Sequence, residues 1–208
     1  MNISITGFIY KTVIDPILQS VHVKVQSLIA GNKSVLDVAC GTGSLTLLIA
    51  AKVQHVVGID KSVAMISTAN KTKKKQLIKN VEFLRADATK SFPFKQNEFD
   101  TVLISMGLHQ FTSAAAYLVL QEMKNIASEV IILDYAVPLP DNWDGLIVRI
   151  FEILGGQEHY TNFKSYIKNG GINALINKVN LIKSFELTTK NNIFRIIKCK
   201  KQESYEIF

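Results

Sequence analysis

The sequence predicts an α/β fold: a doubly wound, mostly parallel sheet of seven strands that ends in an antiparallel C-terminal hairpin. Three observations predict it. Short β-branched runs alternate with stretches of helical periodicity from Ser34 to Tyr135, and such alternation implies parallel strands joined by right-handed crossovers that cover both faces. The first strand runs straight into a glycine turn, Gly41-Thr42-Gly43, with a helix behind it. After Pro138 the rhythm changes to helical stretches and then to two strands separated by Thr188-Thr189-Lys190-Asn191-Asn192, a hairpin pattern.

The elements follow in order. Asp15 to Ala30 has apolar residues at Ile17, Leu18, Val21, Val25, Leu28 and Ile29, which is helical spacing, and Asp15-Pro16 supplies a cap and a first-turn residue. Ser34 to Ala39 is a buried strand and Leu45 to Lys52 a helix. Val53 to Asp60 contains the second strand, and Ser62 caps the next helix. Val81 to Arg85 and Phe99 to Ser105 are strands three and four, Ser113 to Ile126 is helical, and Glu129 to Tyr135 is strand five. Trp143 to Leu154 and Asn162 to Lys178 are expected as helices, and Leu181 to Leu187 and Ile193 to Lys198 as the hairpin strands. With no internal repeat or low-complexity linker, the 208 residues are expected as one domain: an N-terminal helical segment (1–32), a ligand-binding core (33–138), a helical insertion on the substrate side (139–180) and the hairpin (181–200).

Composition narrows the class. At 48% hydrophobic and 20% charged residues the chain is of ordinary soluble type. No secretory leader is expected, and no apolar run approaches the ~18 residues of a membrane span. Cys40 and Cys199 show neither metal-ligand spacing nor a disulfide framework, so no metal is expected and the plain expectation is a reduced, cytoplasmic protein. The net charge of +7 is partly concentrated in Lys71, Lys73, Lys74 and Lys75 and in Lys198, Lys200 and Lys201. A basic balance suits nucleic acid or an anionic membrane surface. No aromatic residues interleave with these lysines, so they read as a solvated face; nucleic acid is not the expected partner, and peripheral membrane contact stays open.

The chemistry is concentrated in Val35-Leu36-Asp37-Val38-Ala39-Cys40-Gly41-Thr42-Gly43-Ser44-Leu45-Thr46. Glycines in the turn let a ligand approach the backbone, and the helix that follows presents unpaired N–H groups. In a doubly wound sheet the ligand crevice lies beyond the carboxyl ends of the strands. The turn alone would also suit a dinucleotide, but Thr46 replaces the third glycine of that fingerprint. Asp60, with Lys61 after it, ends the second strand, where a carboxylate accepts from both hydroxyls of a ribose. Asp87, before Ala88, ends the third. Three acids at three successive strand ends mark a single crevice.

These segments, together with GIDKSVAMI and FLRADATKSFPFKQNEFDTVLISMGLHQF, resemble the class I S-adenosylmethionine (AdoMet)-dependent methyltransferases over residues 33 to 138. The likeness is closest to the ubiquinone/menaquinone-biosynthesis branch. Two departures from that branch stand out. Met106-Gly107-Leu108-His109-Gln110 replaces its phenylalanine-glycine-leucine-arginine-asparagine segment, and Asn125-Ile126-Ala127-Ser128-Glu129 replaces its lysine-proline-glycine-glycine turn. The resemblance implies a Rossmann-like methyltransferase fold, AdoMet as cofactor with S-adenosylhomocysteine as product, and a small, partly apolar acceptor such as a quinone-like, phenolic or amine compound. It places Gly41 and Gly43 near the methionine part of AdoMet with Thr42 and Thr46 beside them, Asp60 on the ribose, Asp87 and Ala88 on the adenine, and Ser105 near the methionine end. Met65 is expected in the helix core.

Methyl transfer from a sulfonium requires mainly alignment of a nucleophile, and a base only where that nucleophile carries a proton. His109, just after strand four, is the first candidate base. His159 and Tyr160 are weaker ones, and His22 and His55 read as structural. The acceptor wall is expected from Phe8, Ile9 and Tyr10 and from Trp143, Phe151, Tyr160, Phe163 and Tyr166. The rival readings are a nucleic-acid or protein methyltransferase and a non-catalytic AdoMet-binding module. Ile104-Ser105-Met106-Gly107 lacks the asparagine- or aspartate-proline-proline-aromatic tetrad of base methyltransferases, and the ligand motifs are undamaged.

Overall fold

The strands at the centre are apolar along their whole length, which a strand tolerates only when both of its faces are covered. In the computed structural model, which describes residues 15–29, 31, 33–189 and 191–202, β1 (Ser34–Val38), β2 (His55–Asp60), β3 (Val81–Arg85), β4 (Phe99–Ser105), β5 (Ala127–Tyr135), β6 (Leu181–Thr188) and β7 (Phe194–Lys201) form one sheet in the order β3-β2-β1-β4-β5-β7-β6. β1 pairs in parallel with both β2 and β4, which set Asp37 beside Gly58 and Leu103. β7 alone runs against its neighbours, antiparallel to β5 and to β6. The expected doubly wound architecture with its terminal hairpin is therefore present.

The helices are α1 (Asp15–Ser27), α2 (Ser44–Ala50), α3 (Val63–Lys75), α4 (Ser113–Ile126), α5 (Trp143–Leu154), α6 (Gln157–Lys168) and α7 (Gly171–Lys178), with a 3-10 turn at Leu108–Gln110. Ser62 and Thr112 cap α3 and α4 by accepting from Met65 and Ala115 N–H. The stretch Asn162–Lys178, expected as one helix, is two. Asn169-Gly170-Gly171 breaks it, with Gly170 at φ 87° and Gly171 at φ 59°, a left-handed backbone that ends a helix. On α5, Trp143, Leu146, Ile147, Ile150, Ile153 and Leu154 are exposed. Among the described residues no helix is long and apolar enough to cross a membrane.

The order β3-β2-β1-β4-β5 reverses direction between β1 and β4. Crossovers leave that point to opposite sides, which opens a crevice above the carboxyl ends of the two strands.

Gly171 carries the junction of α6 and α7 against β5. A Cβ there would stand 2.5 Å from Val137 Cγ2, on a left-handed backbone. Gly171→Ala should therefore cost at least ~1–2 kcal/mol and lower the melting temperature by at least about 2–4 °C, measured by differential scanning calorimetry.

Candidate active site

The crevice is a cavity of about 840 Å³ at the carboxyl ends of the strands. Asp37, Gly41, Thr42, Asp60, Lys61, Asp87, Ala88 and Ser105 all line it. Asp60 accepts from Gly41 N–H through Oδ2 (2.9 Å) and from Ser62 N–H through Oδ1 (2.8 Å). It thereby ties the glycine turn to the end of β2, and each carboxylate oxygen keeps a second lone pair for a ligand hydroxyl. Asp87 receives Thr89 N–H and the Thr89 hydroxyl on Oδ1; these bonds hold its carboxyl below the usual range.

Asp37 is the strained member of the set. It is 1% exposed, and burial pushes its carboxyl up to about 7, with the Thr46 hydroxyl opposing and Asp60 adding to the rise. The Thr46 hydroxyl donates to Oδ2 at 2.6 Å, while Oδ1 is buried with no hydrogen-bond partner among the described residues. A buried carboxylate oxygen without a donor is costly and suits a cationic ligand group.

Two of the expected cofactor residues do not line the cavity. Thr46 is fully buried beneath it and acts through its bond to Asp37. Gly43, at φ 75°, faces the core: a Cβ there would meet Phe83 Cζ at 2.5 Å and Ala69 Cβ at 3.1 Å. Its glycine requirement comes from packing against β3 and from the backbone. Gly41 is the reverse case, with φ 56° and nothing within 4 Å of an added Cβ, so the space it leaves belongs to the cavity.

Other residues reach the wall, most of them not expected there; His159, a weaker candidate base, is the exception. Leu18, Gln19 and His22 come from α1. His22 Nε2 lies 3.3 Å from Ser105 Oγ, and burial lowers its pKa to about 4. Met65, expected in the helix core, is 41% exposed and lines the cavity. The far wall is Gly155, Gly156, Gln157, Glu158, His159 and Asn162, at the junction of α5 and α6. No local pattern marks that junction, because its residues become a wall only once α6 packs on the 3-10 turn. The expected aromatic wall is largely elsewhere. Trp143 is 79% exposed, Phe163 and Tyr166 are core residues, and Phe151 and Tyr160 are absent from the lining. Phe8, Ile9 and Tyr10 lie outside the described residues. His55, at the start of β2, sits at the opposite end of the sheet from the cavity.

His109 is behind the wall rather than on it. It is 2% exposed and ringed by Tyr135, His159, Phe163 and Tyr166. Its Nδ1 is 2.6 Å from Asp134 Oδ1, and Asp134 also accepts from the N–H groups of Leu108, His109 and Tyr135. Burial works against charge on this imidazole, but the carboxylates of Asp134 and Glu152 outweigh it and hold the pKa above its ordinary value. A ring so enclosed has no direct access to a reacting atom, so a base role for His109 would have to pass through a neighbour.

The likeness of the chain to known proteins agrees with this geometry. Residues 35–129 match the methyltransferase-domain family. A demethylmenaquinone methyltransferase of Lactiplantibacillus plantarum is 36% identical over 93 residues, 43% of this chain and 39% of that protein. An uncharacterized RNA methyltransferase of Mycoplasma mobile is 36% identical over 84 residues, 40% of this chain and 23% of that protein. The chain thus spans well under half the length of these relatives. A SAM-dependent methyltransferase from Aquifex aeolicus has the same fold, with a TM-score of 0.66 at 17% identity over 86% of this chain and 89% of that one. Residues 35–129 thus resemble the methyltransferase-domain family, and the fold is one that AdoMet-dependent methyltransferases share. The cavity fits that cofactor on two observations: the unpaired Asp37 oxygen suits its ammonium or sulfonium charge, and the open space above Gly41 admits its backbone contact.

The two glycines should separate in the laboratory. Gly41→Ala should weaken AdoMet binding by calorimetry with a loss of stability near the ~1–2 kcal/mol left-handed cost. Gly43→Ala should mainly lower the melting temperature.

Asp37 sets a pH dependence. Its folded pKa is raised, so its contribution to stability is complete below about pH 4 and is lost as pH rises through about 7. His22, depressed to about 4, works in the opposite sense at acid pH. Melting temperatures of the ligand-free parent and Asp37→Asn across about pH 5 to 8 isolate the Asp37 part: the variant should gain relative to the parent as pH rises.

Proposed function

We propose that the chain transfers the methyl group of AdoMet to a small, lipid-soluble acceptor of quinol-like or phenolic type in the cytoplasm. The observation that carries this reading is the cavity itself. Its volume falls among pockets that enclose small molecules, roughly 300–1,000 Å³, and it joins the strand-end motifs on one side to the α5–α6 junction on the other. AdoMet, when bound, supplies an activated methyl carbon. The chain supplies the alignment: Asp60 and Asp87 for the nucleoside, Asp37 and Gly41 for the charged end, and Ser105, with His22 on its hydroxyl, beside the methionine end.

The apolar outer face of α5 leads to the cavity wall at Gly155, which supports an acceptor delivered from an apolar phase by peripheral contact. A relative named for demethylmenaquinone methylation supports the same class. The free thiols of Cys40 and Cys199 support a reducing compartment.

An RNA acceptor is the second reading, favoured by the RNA methyltransferase relative and the net charge. The placement of the lysines speaks against it. Lys73, Lys74 and Lys75 occupy the last turn of α3, which descends from the cavity end of β2 to the far end of the sheet. Lys200 and Lys201 pair with Glu129 and Leu181 at the starts of β5 and β6. The basic clusters therefore lie at the edge away from the cavity, and Lys198 is engaged by Glu129 at 3.0 Å.

Labelled AdoMet with quinols, phenols and total RNA tests the choice; transfer to RNA alone refutes the small-molecule reading. For the cofactor, Asp60→Ala should weaken AdoMet binding by about tenfold to a hundredfold, as hydrogen bonds to a charged group contribute ~1.5–3 kcal/mol. Unchanged affinity by calorimetry would remove Asp60 from the ribose.

A further inference from the structure

We propose that His159, held by the buried carboxylate of Glu152, takes the proton of the methyl acceptor, so that the preferred acceptors carry their nucleophilic electron pair as a phenolic O–H and not as an amine. This rests on the reading that the cavity holds AdoMet and a small acceptor.

Three imidazoles stand near the cavity, and the structure separates them. His22 is bonded to Ser105, and burial makes it too weak a base near neutrality. His109 is enclosed on all sides and committed to Asp134. His159 lines the cavity with its side chain 25% exposed, the intermediate exposure that gives a base both a substrate and a route for returning its proton to water.

Its support is built from behind. His159 Nε2 lies 2.5 Å from Glu152 Oε2, and Glu152 is 5% exposed. The other oxygen, Oε1, accepts from the Tyr135 hydroxyl at 2.8 Å and lies 3.8 Å from His109 Nε2. Burial pushes the Glu152 carboxyl up, but the bonds from His159 and Tyr135 and the charge of His109 hold it below the usual range. The ring rests on Gly155, where a Cβ would stand 2.6 Å from His159 Cδ2, so the chain is bare where the imidazole sits. The groups that face His159 are Glu152 from α5, His109 with Asp134 behind it, and Tyr135 from β5 through Glu152; Glu158, its neighbour in the chain, lines the same wall.

Donor atoms of His109, Glu152 and His159 converge within 4.8 Å, a set that could hold a metal ion. Glu152 Oε2 and His159 Nε2 stand in direct contact at 2.5 Å. Two tetrahedral ligands bound at about 2.0–2.1 Å would stand more than ~3 Å apart. The geometry is that of an oriented base.

In the tautomer whose proton sits on Nε2, beside Glu152, Nδ1 holds the lone pair. The acceptor O–H proton passes to Nδ1. The oxygen electron pair forms the bond to the methyl carbon as the carbon–sulfur bond breaks, its pair remaining on sulfur as the neutral thioether. The imidazolium is balanced by Glu152 until its proton leaves to water. Glu152 and the His109–Asp134 pair are positioning residues in this step.

The test uses labelled AdoMet with 1,4-naphthohydroquinone under nitrogen, catechol and benzylamine. The parent should methylate a hydroxyl acceptor, with a rate that falls at acid pH. His159→Gln should lower kcat on it by about 100- to 10,000-fold, abolish that acidic limb and leave AdoMet affinity unchanged. Glu152→Gln should lower kcat more than it raises KM, and Glu152→Asp should restore part of the rate. Gly155→Ala, which displaces the ring without deleting it, should lower kcat more than it raises KM and serves if the histidine variant fails to fold. Parental turnover and pH profile in His159→Gln overturn the proposal, as does transfer to benzylamine alone, or no transfer to any of the three while AdoMet binds. Failure of the parent to bind AdoMet would instead sink the functional reading beneath it.

Discussion

A parallel strand must hand its chain on at the same edge of the sheet as its neighbours, because each connection returns to the opposite edge before the next strand begins. Here six of the seven strands run one way, with β7 alone reversed. The ends of β1, β2, β3, β4 and β5 therefore converge, although Asp37 and Asp134 are far apart in the chain. The strand-end half of the site follows from that convergence. The glycine turn, Asp60, Asp87, Ser105 and the His109 turn are all strand exits brought to one crevice. The reversal of strand order between β1 and β4 keeps the crevice from being filled by a crossover.

Burying a carboxylate is costly unless donors meet it, and the three buried or half-buried aspartates at that edge answer the demand differently. Asp134 receives three backbone N–H groups and one imidazole, which pins the exit of β4 to the exit of β5. Asp60 receives two backbone donors and joins the glycine turn to β2. Asp37 has the Thr46 hydroxyl on one oxygen and no donor on the other. Asp134 and Asp60 thus join neighbouring strand exits, whereas Asp37 keeps one oxygen unmet beside the cavity.

The fold was legible where local physics and tertiary packing agree. Central strands such as Val35-Leu36 and Ile131-Ile132 are continuous apolar runs because both faces are buried, and that composition is visible without coordinates. Agreement ends where a boundary depends on backbone conformation. Asn162 to Lys178 keeps its apolar spacing across Gly170-Gly171, so periodicity runs on through a break that two left-handed glycines impose. Gly41 and Gly43 look equivalent in the sequence. Only the packing of Phe83 shows that one faces the core and the other the cavity.

What the sequence by itself determined was the class of fold and the crevice residues Asp37, Gly41, Asp60, Asp87 and Ser105, because each of these is tied to a strand exit and strand exits are written in local pattern. Tertiary structure alone decided which side chains face one another across long separations. It withdrew His109 behind aromatic rings, turned Thr46 toward Asp37 and set His22 on the wall beside Ser105. It also brought His159 from α6 to Glu152 on α5. The physical reason is that burial and partner choice belong to packing between elements: an imidazole has the same identity in every environment, and only its neighbours decide whether it is a structural donor or a base.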